Sequence, residues 1–206
     1  MTLRGKAGLT MVLLTALMLL VGVAASEDKP VQPPAAPQGQ TPQAPSVKES
    51  IVIDWPAGVK WISDYISSRP QGRTEIFYPE GQSKTNWTEM VSTEEAYGKL
   101  PMDLTEVARI ILMGTKQGCP DAVMEILEKK PAGPGYPTIT FTVTCANFTS
   151  KQPAEVQIWK MFAGKTGLYS VQYTYRGEKL PDDKRIQALS ILQRSRLVMP
   201  EEPPKE

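Results

Sequence analysis

Between Thr138 and Cys145 polar and apolar residues alternate without a break, Thr138, Thr140, Thr142 and Thr144 against Ile139, Phe141, Val143 and Cys145. A period of two puts each set on its own face of a strand, the threonines toward water or a polar layer and the others toward a core. Runs from Ala154 to Phe162 and from Leu168 to Arg176 flank Ala163-Gly164-Lys165-Thr166-Gly167 and predict an antiparallel hairpin. On its second arm Tyr169, Val171, Tyr173 and Tyr175 share one face, and Ser170, Gln172 and Thr174 share the other.

The period changes to that of a helix from Leu104 to Gln117, where Leu104, Val107, Ala108, Ile111, Leu112 and Thr115 form one stripe. Asp103 with Glu106 three residues on reads as an N-cap and capping box, and Gly118-Cys119-Pro120 as a stop. A second helix is predicted from Asp182 to about Arg194, entered through Pro181, with Asp182 and Asp183 near the positive end of its dipole and Ile186, Leu189 and Leu192 toward the core. Three earlier runs read as strands: Lys60 to Ile66, Thr74 to Tyr78 and Trp87 to Thr93, the last two separated by the turn Pro79-Glu80-Gly81. Ala122 to Glu128 fits helix or strand, and strand is preferred. The sum is an α+β fold, a mostly antiparallel sheet covered by two main helices.

The N-terminus follows a different pattern. Arg4 and Lys6 precede an apolar run from Ala7 to Val23 that closes on Ala24, Ala25 and Ser26, the layout of a signal peptide over residues 1–25. Retained instead of cut, the same run would anchor the chain in the inner membrane as a tethered accessory subunit. Residues 26–50 are rich in Pro, Gln and Ala, with too little apolar surface to offset the entropy of ordering, and read as an extended linker. A single domain over 51–200 and a charged, frayed tail over 201–206 complete the organisation.

Export gives the two cysteines their meaning. Cys119 and Cys145 allow one intramolecular pairing, and a disulfide is the expected state outside the cytosol. Loss of Arg4 and Lys6 with the signal leaves 21 basic against 22 acidic residues, without the basic stripe that nucleic acid requires. The chain has no histidine, which removes the commonest general base, the partner of serine and cysteine nucleophiles, and the commonest zinc ligand. No metal and no cofactor are expected.

Several local patterns imitate sites. Gly164-Lys165-Thr166 resembles the end of a phosphate loop, but Trp159 stands where that loop needs glycine, and the segment reads as a hairpin turn. Gly133-Pro134-Gly135 punctuates the approach to a strand, and Asp182-Asp183 lacks the spaced oxygens of a calcium loop. Glu89, Glu94, Glu95 and Glu106 supply carboxylates for a glycosidase-like pair, though nothing in their spacing selects two. Asn86-Trp87-Thr88 and Asn147-Phe148-Thr149 match the glycosylation sequon, which matters only in a eukaryotic secretory pathway. Trp87, Trp159, Tyr169, Tyr173 and Tyr175 form a possible binding surface if exposed; the competing reading packs them between sheet and helices.

The segments Ile76-Phe77-Tyr78-Pro79-Glu80-Gly81, Asn86-Trp87-Thr88-Glu89-Met90 and Gly135-Tyr136-Pro137-Thr138, with the closing hairpin and helix, resemble small exported bacterial proteins. The element order is similar to PsbP-like α/β sandwiches. That resemblance implies fold and compartment and brings no catalytic residues with it. The function expected is that of a non-catalytic secreted or periplasmic accessory protein contacting an envelope protein or small ligand. A carboxylate-based hydrolase or glycan-processing enzyme is the alternative.

Overall fold

The structure is a computed structural model that describes residues 49–199 except 100, 101, 132, 134, 150 and 151. The signal segment, most of the proline-rich linker and the C-terminal tail lie outside the described residues. The element order is β1 (Ser50–Ile53), β2 (Trp61–Arg69), β3 (Gly72–Pro79), β4 (Glu89–Tyr97), α1 (Leu104–Gly118), β5 (Val123–Lys130), β6 (Thr138–Cys145), β7 (Glu155–Ala163), β8 (Gly167–Arg176), α2 (Asp182–Arg194) and β9 (Ser195–Val198).

Seven strands form one antiparallel sheet in the order β2-β3-β4-β8-β7-β6-β5. Two meanders, one before α1 and one after it, meet where β4 pairs with β8. α1 lies over β6 and β7 on one face, and α2 with a β1–β9 ribbon covers the other. The molecule is an α+β sandwich with a core on each side of the sheet.

The first core is built by the alternation in β6. Ile139, Phe141 and Val143 face α1 and meet Leu104, Val107, Ala108 and Ile111, together with Trp159, Met161 and Leu168. Asp103 caps α1, its Oδ1 accepting from the backbone N–H of Thr105 at 2.6 Å and of Glu106 at 3.0 Å. The reciprocal half of a capping box is not made, because the Glu106 carboxylate turns to Arg109 instead. At the far end of α1 a disulfide joins Cys119 to Cys145, with the Cα atoms 6.0 Å apart, so helix and strand are tied where both end.

The second core lies under α2 and gathers Val91, Ile158, Phe162, Tyr169, Val171 and Tyr173 around Ala188, Ile191 and Leu192. Leu192 is buried and Leu189 packs against this core as predicted, but Ile186 is 70% exposed. The small Ala188 side chain is fully buried in its place, which lets the helix approach the sheet closely. Lys160 closes the C-terminus of α2, its Nζ donating to the carbonyls of Leu192 at 2.8 Å and Ser195 at 2.9 Å.

The fold begins earlier than the linker boundary expected from composition. Glu49 is buried, and its Oε2 accepts from the backbone N–H of Thr166 at 2.9 Å and from its hydroxyl at 3.0 Å. β1 then pairs with β9, Ser50 opposite Val198 and Ile53 opposite Ser195. Neither strand announces itself in sequence, since four residues are too few to show a period and each depends on the other. Pro79 to Gly81 turns as expected, Gly81 taking φ of 87°.

Candidate functional site

Four of the five aromatic residues singled out above are interior. Tyr169 and Tyr173 are fully buried beneath α2. Trp159 lies under α1, stacked on Phe141 with ring centroids 6.0 Å apart and its Nε1 donating to Gln157 Oε1 at 3.1 Å. Trp87 is packed with Tyr78 and Met90 under the Arg176 guanidinium, which sits 3.7 Å from the ring centroid. Tyr175 is half-buried. The sheet-filling reading is the one the structure gives, because Tyr169 and Tyr173 point into the core under α2 and Trp159 into the core under α1.

The four candidate carboxylates separate. Side chains alternate across a strand, so Glu94 and Glu95 leave β4 on opposite faces. Glu89 and Glu95 share a face but lie six residues apart, roughly 20 Å along the strand. Glu89 is buried and accepts from Tyr173 Oη, from Lys184 Nζ at 2.6 Å and from Gln187 Nε2 at 3.4 Å, pinning α2 to the sheet. Burial first, and the bond to Glu89 second, raise the Tyr173 hydroxyl above the ordinary tyrosine range. Glu95 accepts from Tyr97 Oη at 2.7 Å and from the Ile51 backbone N–H at 3.3 Å, pinning the ribbon. Glu106 pairs with Arg109 on the surface.

Glu94 differs from these three, accepting no hydrogen bond from any described residue. It lies on the α1 side of the sheet, between Thr74 of β3 and Ser170 of β8. One step along, Ser92 Oγ donates to Gln172 Oε1 at 3.3 Å, and Gln172 Nε2 donates to Thr174 Oγ1 at 2.9 Å. α1 lies over β6 and β7, so this layer sits on the flank beside the helix; its hydroxyls and amides are buried, and Glu94 is the half-buried group among them. Desolvation on that flank holds the Glu94 carboxyl up to about 7. A group that titrates near neutrality beside neutral donors and acceptors suits a cationic or polar uncharged group.

The Ser170, Gln172 and Thr174 side of this layer is visible in the alternation of β8. Glu94 is among the four carboxylates named from sequence, but its place on β4 is not legible there, because the predicted run from Trp87 to Thr93 ends one residue short of it whereas β4 continues to Tyr97.

No protein-family model matches the chain. No curated protein matches it either. Among solved structures it is similar to the crystal structure of LpqN, involved in cell envelope biogenesis of Mycobacterium tuberculosis. Identity is 10% and the TM-score 0.38, over 76% of this chain and 87% of that one. A TM-score at that level transfers neither architecture nor activity, so both rest on the residues described above.

Proposed function

We propose that this is an exported, non-catalytic accessory protein of the cell envelope, and that it contacts a partner or small ligand through the polar flank around Glu94. The observation that carries the reading is the Cys119–Cys145 bridge. A cross-link between the ends of a helix and a strand suits an oxidising compartment, in agreement with the basic, apolar and small-residue zones of residues 1–25. Lack of histidine and the dispersal of Glu89, Glu94, Glu95 and Glu106 support binding over turnover. Kinship with PsbP-like sandwiches belongs to the same reading and is supported by element order alone.

The test is recovery of the protein from envelope fractions, with N-terminal sequencing and identification of co-purifying molecules for wild type and Glu94→Lys. Cleavage after Ala25, with a partner captured by wild type and lost in the variant, is the expected result. Protein recovered from the cytosol with two alkylatable thiols would overturn the compartment. A captured partner unaffected by Glu94→Lys would overturn the surface.

Carboxylate chemistry is the second reading, favoured by the desolvation that raises the Glu94 carboxyl to about 7. Turnover of any substrate in a hydrolase panel that Glu94→Gln abolishes would establish it over the first.

A further inference from the structure

The two edges of the sheet are finished differently. β5, at one edge, carries Glu125, Glu128, Lys129 and Lys130 within eight residues and is broken by a register shift between Ile126 and Glu128. Charge and irregularity of this kind block a second strand from pairing. β2, at the other edge, has its register shift at Asp64, and from Tyr65 to Arg69 it pairs regularly with β3. That stretch carries one charge, at its last residue, and contains no proline. Ile62, Tyr65 and Ile66 are 41%, 39% and 56% exposed, three large apolar side chains within five positions of one edge strand.

Antiparallel pairing with β3 turns the N–H and C=O of every second β2 residue outward. We infer that Tyr65–Arg69 pairs antiparallel with the same segment of a second copy of this chain about a two-fold axis at Ser67. The segment is complementary to itself in that register. Ile66 meets the small Ser68 of the other copy, Tyr65 meets Arg69 across the strands, and no like charges oppose one another. A heterologous strand would need none of this self-matching. The two-fold arrangement is closed, since the pairing uses the β2 edge of both copies and leaves neither free to add a third copy there. The contact is short, so the dimer is weak, with Kd on the order of 10–100 µM. This inference is independent of the surface proposed around Glu94.

Sedimentation velocity on the exported protein from about 5 to about 500 µM is the first measurement, and a monomer–dimer equilibrium in that range is expected. Ile66→Lys with Ser68→Lys, both on an exposed edge, raises Kd at least about tenfold while leaving the thermal transition in place. Mild oxidation of Ser67→Cys traps a covalent dimer, because facing Cβ atoms on paired strands lie within disulfide reach, whereas Ser63→Cys beyond the register shift does not. A wild type that stays monomeric throughout, a lysine pair without effect, or a Ser67→Cys no more cross-linked than Ser63→Cys would each overturn the inference.

Discussion

Glu94 and Glu95 are consecutive in β4, yet Glu95 accepts from Tyr97 Oη on one face of the sheet while Glu94, on the other face, accepts from none of the described residues. A single strand thus holds one carboxylate as a structural tie and keeps the next available. Burial without a partner favours the neutral form, so the Glu94 carboxyl is raised from 4.5 to about 7. The raised folded value means that the group costs nothing below its unfolded value. As pH climbs from about 4.5 to about 7, the unfolded chain ionises first and stability falls. Glu94→Gln is therefore expected to match wild type near pH 4 and to exceed it at pH 7.5 by on the order of 1–3 kcal/mol. Urea titrations at the two pH values check this. Equal stabilities at pH 7.5 would show that Glu94 is solvated.

Glu89 is expected to behave in the opposite way. Glu89→Ala leaves the Lys184 ammonium and the buried Tyr173 hydroxyl without their acceptor, and removing one partner of a largely buried pair costs about 2–4 kcal/mol. Glu89→Leu combined with Lys184→Met recovers a substantial part of that loss, because neither charge then remains. Denaturant midpoints of the two variants give the comparison.

The disulfide closes a loop of sequence separation 26, for which loss of the cross-link costs about 3.5 kcal/mol by the loop-entropy estimate. Cys119→Ser with Cys145→Ser is expected to fold with a thermal transition lowered by roughly 10 °C or more. In wild type both sulfurs are buried, so reductant acts at a rate limited by opening of the α1 end. Calorimetry with and without reductant measures both effects.

Gly167 opens β8 against the backbone of β4, and a Cβ built there lies 2.2 Å from the Ala96 carbonyl oxygen. Backbone cannot yield as a side chain can. Gly167→Ala is expected to cost over about 2 kcal/mol, whereas Gly133→Ala, where a Cβ meets nothing within 4 Å, is expected to be near neutral. Chemical denaturation of the two single variants separates them.

Strands with a clean period of two, such as Thr138 to Cys145, and the stripe of α1 were legible because each carries its own record of burial. The meeting of β4 with β8 was not, since no local pattern records which of several antiparallel strands become neighbours across the long chain between them. Ile186 was assigned inward from spacing alone, while the choice actually fell on Ala188, whose small size matters only once a sheet is beneath it. The same limit applies to function. Aromatic residues on β7 and β8 were recognised, but their interior position depends on both faces of the sheet being covered, one by α1 and the other by α2. Glu94 was among the four carboxylates named, and only its place beside Ser170 and Thr74 sets it apart.

The β1–β9 ribbon brings the first and last strands together with Ser50 opposite Val198. Tension applied between the two termini therefore enters at one end of the ribbon and separates its hydrogen bonds one after another, instead of loading them all in shear. A molecule tethered by its leader and pulled from its tail would shed this ribbon at low force, while the seven-stranded sheet behind it stayed whole.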